Sequence, residues 1–143
     1  MEENEKLGND HIKREVKDYN GFKLALEKRT LTFSTNVINA LAKLHYREVT
    51  KGIISQLSRS ATSISANYCE ANHSESRQDF VHKMHIVTKE ASETRHWLIL
   101  VDSLDFLAPD EKLLFQPLRK ESQELYALFI TILRNARENA KNA

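Results

Sequence analysis

Apolar residues recur every three or four positions along most of the chain, which is the spacing of an amphipathic α-helix. The pattern is clearest from Phe80 to Val101, where the steps alternate between four and three residues. Such steps keep one seam of a helix directed at a partner helix. Ser76 and Asp79, three residues apart, form a capping pair that predicts the start of this helix. The predicted seam consists of Phe80, Met84, Val87, Ala91, Thr94, Leu98 and Val101.

Two helices are predicted upstream of this one. The first runs from about Phe22 to His45. Residues 1–20 have no comparable apolar pattern, so we expect them to form a charged, partly disordered N-terminal arm. The second helix runs from about Lys51 to Ala71 and is rich in serine and threonine. Because these residues are mediocre helix formers, packing against neighbouring helices must hold it.

The last helix is predicted to follow the segment ending in Pro109 and Asp110, since proline and acidic residues suit a first helical turn. Pro117 predicts either a kink or the true start of the long part of this helix. Four helices with short connections predict an all-α fold, an antiparallel up-and-down four-helix bundle formed by residues 21–143 as one domain. A swapped or open helical assembly is the alternative. The inward stripe of the last helix is predicted at Leu114, Leu118, Leu125, Leu128, Ile132 and Ala136, with Phe129 and Leu133 beside it.

Composition narrows the functional classes. The chain has 143 residues with 21 basic and 20 acidic side chains, so it lacks the whole-molecule positive field of strong nucleic-acid binders. A single cysteine cannot form an intrachain disulfide, and the charged segment from Met1 to Lys6 lacks the apolar stretch of a signal peptide. No apolar run approaches the roughly 20 residues that cross a bilayer. We therefore expect a cytoplasmic protein that makes no membrane contact.

Catalytic and metal-binding patterns give little support to an enzyme. His82 and His85 are three residues apart, but no H-E-x-x-H or Glu-x-x-His pattern accompanies them, so we interpret them as a solvated pair. Cys69 is interpreted as a packing residue. No Gly-x-Ser-x-Gly elbow and no glycine-rich phosphate loop occurs. The sequence predicts no catalytic residues, no cofactor, no metal and no small-molecule substrate.

Local basic clusters are the candidate contacts for RNA or DNA. One cluster lies on the third helix near its two histidines, and the other lies at helical steps near the C-terminus. Basic helix faces are also common as solvated surfaces, and cations near a helix C-terminus complement its dipole. The candidate nucleic-acid-binding residues are Arg77, Lys83, Lys89, Arg134, Arg137 and Lys141.

A family resemblance is carried by the segment from Gln56 to Ala71, which reads Q-L-S-R-S-A-T-S-I-S-A-N-Y-C-E-A. It resembles the Q-L-x-R-A-x-x-S-I-x-x-N-x-x-E-[GA] signature of bacterial four-helix bundle proteins encoded within intervening sequences of 23S ribosomal RNA genes. The runs Ser76–Phe80 and Lys89–Leu98 look like the third helix of the same family. The resemblance covers about residues 22–138.

This resemblance implies a non-enzymatic subunit of a barrel-shaped homopentamer. It also implies a relation to an accessory protein of diversity-generating retroelements that binds nucleic acid and a reverse transcriptase. By the same analogy Asn67, Glu70 and Arg77 match motif positions and are interpreted as structural residues that cap and tie the connection between the second and third helices. Arg59, two turns earlier on the second helix, is also interpreted as a structural residue of the family motif. Loss of backbone hydrogen bonds there costs roughly 1–3 kcal/mol, so Asn67→Ala is expected to lower thermal stability.

Two functions from different classes stay open. The first is a non-enzymatic oligomeric scaffold, assembling as a ring. It is favoured by an apolar excess around the seam of the third helix. The alternative is a nucleic-acid (RNA) binding module, or a ribonucleoprotein or reverse-transcriptase accessory subunit. In a pentamer a modest basic cluster would be repeated five times, which raises avidity. The residues of the apolar excess are Ile86, Trp97, Leu100 and Leu104.

Overall fold

Four long helices account for most of the molecule. A computed structural model describes the backbone of residues 2–142 and the side chains of residues 11, 13–15 and 17–142. Over these residues the chain contains no β-strand, which confirms the all-α prediction. The helices are α1 (Glu2–Ala42), α2 (Lys51–Asn72), α3 (Arg77–Ser103) and α4 (Pro109–Lys141), with a short 3₁₀ helix at Glu48–Thr50.

Helix α1 begins far earlier than the predicted start near Phe22. The segment predicted to be a partly disordered arm is helical from Glu2, and α1 runs without a break through Gly21. A glycine inside a helix costs only about 1 kcal/mol relative to alanine, which is too little to end a helix by itself. Local contacts support the extension, since the Lys23 ammonium lies 4.5 Å from the centre of the Tyr19 ring.

The interior confirms most of the predicted seam of α3. All of its members except Phe80 are buried, and Phe80 packs against the core from a half-buried position. Tyr68 of α2 and Phe129 of α4 meet across the centre with ring centroids 5.9 Å apart. Aromatic pairs at this separation add stability beyond the apolar area they bury.

Small hydroxyl side chains lie inside the bundle and hydrogen-bond across helix interfaces. Ser34 of α1 donates to the carbonyl of Ala61 in α2 at 2.7 Å. Thr94 of α3 donates to the Ser60 hydroxyl at 2.9 Å, and both residues are fully buried. Each of these polar groups is thereby satisfied, so their burial carries no desolvation penalty for an unmade bond. The serine-rich composition of α2 thus fits its central position between two neighbouring helices.

Helix α4 presents a different inward face from the predicted stripe. Glu111, Phe115 and Ser122 were not predicted to face inward, yet they are buried, whereas the predicted Leu114 is half-buried. Two of the three missed positions are polar, so an apolar pattern could not reveal them. The helix also continues through Pro117, whose exposed position lets water satisfy the carbonyl that loses its partner. The buried residues of α4 are Glu111, Phe115, Leu118, Ser122, Leu125, Phe129 and Leu133.

An ion pair between the half-buried Arg47 and the buried Glu111 links the connection between α1 and α2 to the start of α4. The two terminal nitrogens of the Arg47 guanidinium donate to the two Glu111 carboxylate oxygens at 2.7 and 2.8 Å. The backbone N–H of Ala108 also donates to Glu111, at 3.4 Å. The hydrogen bonds from Arg47 lower the pKa of Glu111 from its ordinary value of 4.5 to about 2.

Candidate functional site

Two of the segments that carry the family resemblance, Gln56–Ala71 and Lys89–Leu98, meet at the interface of α2 and α3. Arg59 of the first segment donates to both carboxylate oxygens of Glu90, at 3.2 and 3.3 Å, and to Glu93. The Trp97 indole N–H donates to the same Glu93 carboxylate at 3.3 Å. Hydrogen bonding from Arg59 lowers the pKa of Glu93. Both acidic residues lie in the segment Lys89–Leu98, although the sequence alone did not pair them with Arg59.

Glu70 links α2 to α3 through an ion pair that the sequence did not reveal. Its carboxylate accepts a hydrogen bond from the Lys83 ammonium at 2.8 Å. This contact raises the pKa of Lys83. Lys83, a candidate nucleic-acid contact, is therefore engaged with an acidic side chain of the neighbouring helix. Because of this ion pair, Lys83 differs from the other basic candidates and is left out of the basic surface described next.

Asn67 does not cap the connection between α2 and α3, which corrects the role expected for it. Its amide donates at 2.8 Å to the carbonyl of Ser63, one turn earlier in the same helix. Asn67 lies too far from the connection to cap it, because α2 continues for five more residues to Asn72. The connection is stabilised instead by Ser76, whose hydroxyl accepts the backbone N–H of Asp79 at 3.0 Å. This cap at the start of α3 confirms the predicted Ser76–Asp79 pair.

The two predicted basic clusters approach each other along the interface of α3 and α4. The Arg137 guanidinium of α4 contacts the His85 ring of α3. Arg77 at the start of α3 donates to the carbonyl of Asn139 in α4 at 3.3 Å. Arg77, His85 and Arg137 are all exposed. The first turns of α3 and the last turns of α4 thus form one basic surface.

A shallow groove of about 520 Å³ lies beside His85 on this surface. Lys89 lines it, together with Tyr126 of α4. The Arg95 guanidinium lies 5.2 Å from the centre of the Tyr126 ring, a cation–π contact. The groove also contains one acidic side chain, Glu93, which is already bonded to Arg59. The complete lining is His85, Thr88, Lys89, Ser92, Glu93, His96 and Tyr126.

The remaining candidates occupy exposed positions. Arg134 lies one turn before Arg137 on α4, and Lys141 lies one turn after it. His82 and His85 are both exposed, and Arg137 contacts the second of them. The basic surface therefore contains five of the six predicted nucleic-acid contacts, and their role in binding stays a prediction. We define the α3–α4 basic surface as Arg77, His85, Lys89, Arg134, Arg137 and Lys141.

A second candidate surface is apolar and lies on α1. Leu24, Leu31 and Ile38 follow one another at steps of seven residues and are 66%, 61% and 40% exposed. Seven-residue steps place side chains on one side of a helix, which is the arrangement of a helix–helix seam. By contrast, Trp97 and Leu104 of the predicted apolar excess on α3 pack partly against the core. We refer to Leu24, Leu31 and Ile38 as the α1 stripe.

Within the described part of the chain, no helix combines the length and apolar character needed to cross a bilayer. Charged residues lie between the exposed apolar residues of α1; Lys23 and Lys28, for example, flank Leu24.

Comparison with known proteins identifies a matching protein family and similar solved structures. A family model described as "23S rRNA-intervening sequence protein" matches residues 23–131. A solved structure from Bacteroides thetaiotaomicron VPI-5482, described as a protein with unknown function from the S23 ribosomal protein family, is 31% identical to this chain. The match covers 75% of this chain and 96% of that chain, with a TM-score of 0.65. No protein of curated function matches the chain. Neither match describes a catalytic activity.

Proposed function

Because the chain belongs to the 23S rRNA-intervening sequence protein family, we propose that it is a non-enzymatic helical scaffold that assembles with copies of itself. The observation that carries this proposal is the α1 stripe. When another helix covers leucine and isoleucine side chains at a regular seven-residue spacing, burial of their apolar surface stabilises the assembly by roughly 25 cal/mol for each Å². A ring of five subunits is the arrangement that the family resemblance implies.

We further propose that each subunit is an antiparallel up-and-down bundle. Two ion pairs between α2 and α3 support this topology. Arg59, early in α2, bonds to Glu93, whereas Glu70, late in α2, bonds to Lys83, which precedes Glu93 in α3. The contacts of Asp102 with Arg119 and of His85 with Arg137 relate α3 to α4 in the same reversed order. The cytoplasmic location expected from the sequence stays a prediction.

The assembly is tested by mass measurement in solution. Multi-angle light scattering at tens of micromolar should give a mass several times the 16.5 kDa of one chain. Leu31→Glu places a charge in the middle of the α1 stripe and should shift the mass toward that of a monomer. Gln123→Glu adds the same charge at an exposed position on α4 and serves as the control. A monomeric wild-type protein, or a Leu31→Glu variant with unchanged mass, contradicts the proposal.

A second candidate function is nucleic-acid binding, which the α3–α4 basic surface favours. Two side chains of this surface, His85 and Lys89, line a groove that also contains the aromatic ring of Tyr126. Single-stranded RNA is recognised by this combination, because phosphates pair with cations while bases stack on aromatic rings. In an oligomer the surface would be repeated in every subunit, so weak contacts would add to useful avidity.

Fluorescence anisotropy with a labelled single-stranded RNA at several salt concentrations tests this second function. Each phosphate contact contributes roughly 0.7 to the slope of log affinity against log salt for single strands. Arg137→Gln should weaken binding and reduce that slope, whereas Lys120→Gln removes a charge from an exposed position outside the surface and should change neither. Absence of RNA binding at low salt, or equal effects of the two variants, contradicts this function.

A further inference from the structure

We propose that Glu27, Cys69 and His73 form a binding site for a divalent metal of the Zn²⁺ type. Each residue contributes one donor atom, and these three atoms all lie within 4.8 Å of one another. Glu27 belongs to α1, Cys69 lies in the last turn of α2, and His73 is the residue at which α2 ends. The sequence did not indicate this site, because Glu27 is 42 positions from Cys69 and only the bundle brings them together.

The helix geometry explains why the donors converge. Cys69 and His73 are four residues apart, so they occupy one face at the end of α2. The same end of α2 packs beside α1, where the Asn72 amide donates to a Glu27 carboxylate oxygen at 2.9 Å. This hydrogen bond orients the Glu27 side chain toward α2. Glu27 is half-buried, whereas Cys69 and His73 are exposed and accessible to a metal from solvent. The exposure of Cys69 corrects its interpretation as a packing residue.

Hydrogen bonding also prepares His73 as a ligand. Its Nδ1 lies 2.8 Å from the Cys69 carbonyl oxygen. A carbonyl oxygen only accepts, so Nδ1 carries the proton and Nε2 keeps the lone pair that a metal needs. Metal-binding histidines usually donate their other ring nitrogen to a carbonyl or carboxylate in this way, and metal-binding carboxylates are themselves hydrogen-bonded. Both arrangements are present here, on His73 and on Glu27.

A buried acceptor beside the cluster gives independent support. The Asn72 Oδ1 atom is buried and makes no hydrogen bond within the described part of the chain. It belongs to the same amide that donates to Glu27, so it lies within a few ångströms of the cluster. A buried acceptor without a donor is unfavourable. Water bound to a metal at the cluster would be a donor for this atom.

The donor set selects the metal. One sulfur, one imidazole nitrogen and one carboxylate oxygen suit Zn²⁺ and its spectroscopic substitute Co²⁺, whereas Mg²⁺ and Ca²⁺ prefer oxygen ligands. Tetrahedral bonds of about 2.0–2.3 Å place donor atoms roughly 3.3–3.8 Å apart. The exposed ends of Cys69 and His73 can close the difference by rotation of their side chains. Three protein ligands leave the fourth position to water.

The site would join the middle of α1 to the end of α2. A cavity of about 770 Å³ lies directly beside it, lined in part by Tyr68, Asn72 and Phe22. Metal binding at this point would hold Glu27 against the end of α2 and so stabilise one wall of the cavity. Because a ligand that binds the folded state alone shifts the folding equilibrium, added Zn²⁺ should raise the melting temperature.

Titration of the full chain with Co²⁺ tests the site directly. Since Cys69 is the single cysteine of the sequence, a thiolate-to-cobalt absorption band in the near ultraviolet reports on this residue alone. Wild-type protein should show the band together with the visible absorption of tetrahedral Co²⁺. His73→Gln and Glu27→Gln should each weaken Co²⁺ binding about tenfold or more. Glu27→Gln retains an oxygen acceptor for Asn72, so the variant should stay folded, as circular dichroism can verify.

His82→Gln is the matched control, because it removes an exposed histidine from α3 and should leave the Co²⁺ affinity unchanged. Two results would overturn the proposal. One is the absence of a thiolate band at a tenfold excess of Co²⁺. The other is wild-type affinity in both His73→Gln and Glu27→Gln, which would show that the thiolate binds the metal without a built site. Neither result bears on self-assembly or RNA binding.

Discussion

At the scale of single residues, the side chains of the family motif make different kinds of contact. Arg59 reaches across to Glu90 and Glu93 of α3, whereas Asn67 bonds to a carbonyl within its own helix. Arg59 is 47% exposed, so solvent reduces what each ion pair contributes. The partners are less exposed, at 16% and 30%, and they form a network with Trp97. Networks of this kind contribute more than isolated surface pairs.

Asn67→Ala should therefore leave the melting temperature nearly unchanged, within about 0.5 kcal/mol of unfolding free energy. The Ser63 carbonyl keeps its helical backbone partner, and alanine is the better helix former. Arg59→Ala should destabilise by about 1 kcal/mol, which is about 2–4 °C for a chain of this size. Thermal unfolding followed by circular dichroism compares the two variants. A larger loss for Asn67→Ala than for Arg59→Ala would contradict the geometry described above.

At the scale of the secondary-structure elements, the end points depend on capping and on local breaks in the apolar pattern. The Ser76 cap was readable from the sequence, since a hydroxyl three residues before an acidic residue is a local signal. The start of α1 could not be predicted from the sequence, because Asn20 and Gly21 resemble a turn and the preceding segment lacks an apolar stripe. Helical residues 2–20 instead carry many lysines and glutamates, which are good helix formers.

Gly21→Ala should strengthen α1. Gly21 is exposed within the helix, and a Cβ atom added there meets no heavy atom within 4 Å. Removal of the glycine penalty should stabilise the helix by about 0.5–1 kcal/mol and increase the ellipticity at the helical minimum. Hydrogen exchange should slow for the amides of residues 11–20. Reduced helicity in the variant would show that the chain needs a turn at this position.

At the scale of the whole molecule, the Arg47–Glu111 pair links sequence segments that are 64 residues apart. Glu111 has only 3% of its side chain exposed, and its pKa is lowered to about 2 from an ordinary 4.5. A lowered pKa means that the folded state favours the carboxylate. The stability it contributes is complete above about pH 4.5 and is lost as the pH falls toward 2.

Glu111→Gln should consequently be less stable than the wild type at pH 7 and should lose less stability between pH 4.5 and 2. Melting temperatures measured across that range give both curves. Glu75→Gln, which changes an exposed carboxylate in the connection between α2 and α3, should follow the wild-type curve. Parallel curves for Glu111→Gln and the wild type would show that the loss of stability at low pH does not come from this carboxylate.

The local sequence by itself determined the positions of the helices, most of their end points and the seam of α3, because apolar periodicity and capping are short-range signals. Met84, Val87 and Leu98 are buried as that periodicity predicts. The tertiary structure alone decided which face of α4 turns inward, since buried polar residues such as Ser122 leave no mark in an apolar pattern. It alone also paired Arg59 with Glu93 and gathered Glu27, Cys69 and His73. Such groupings join residues far apart in sequence, and only the packing of one helix on another sets the distances between them.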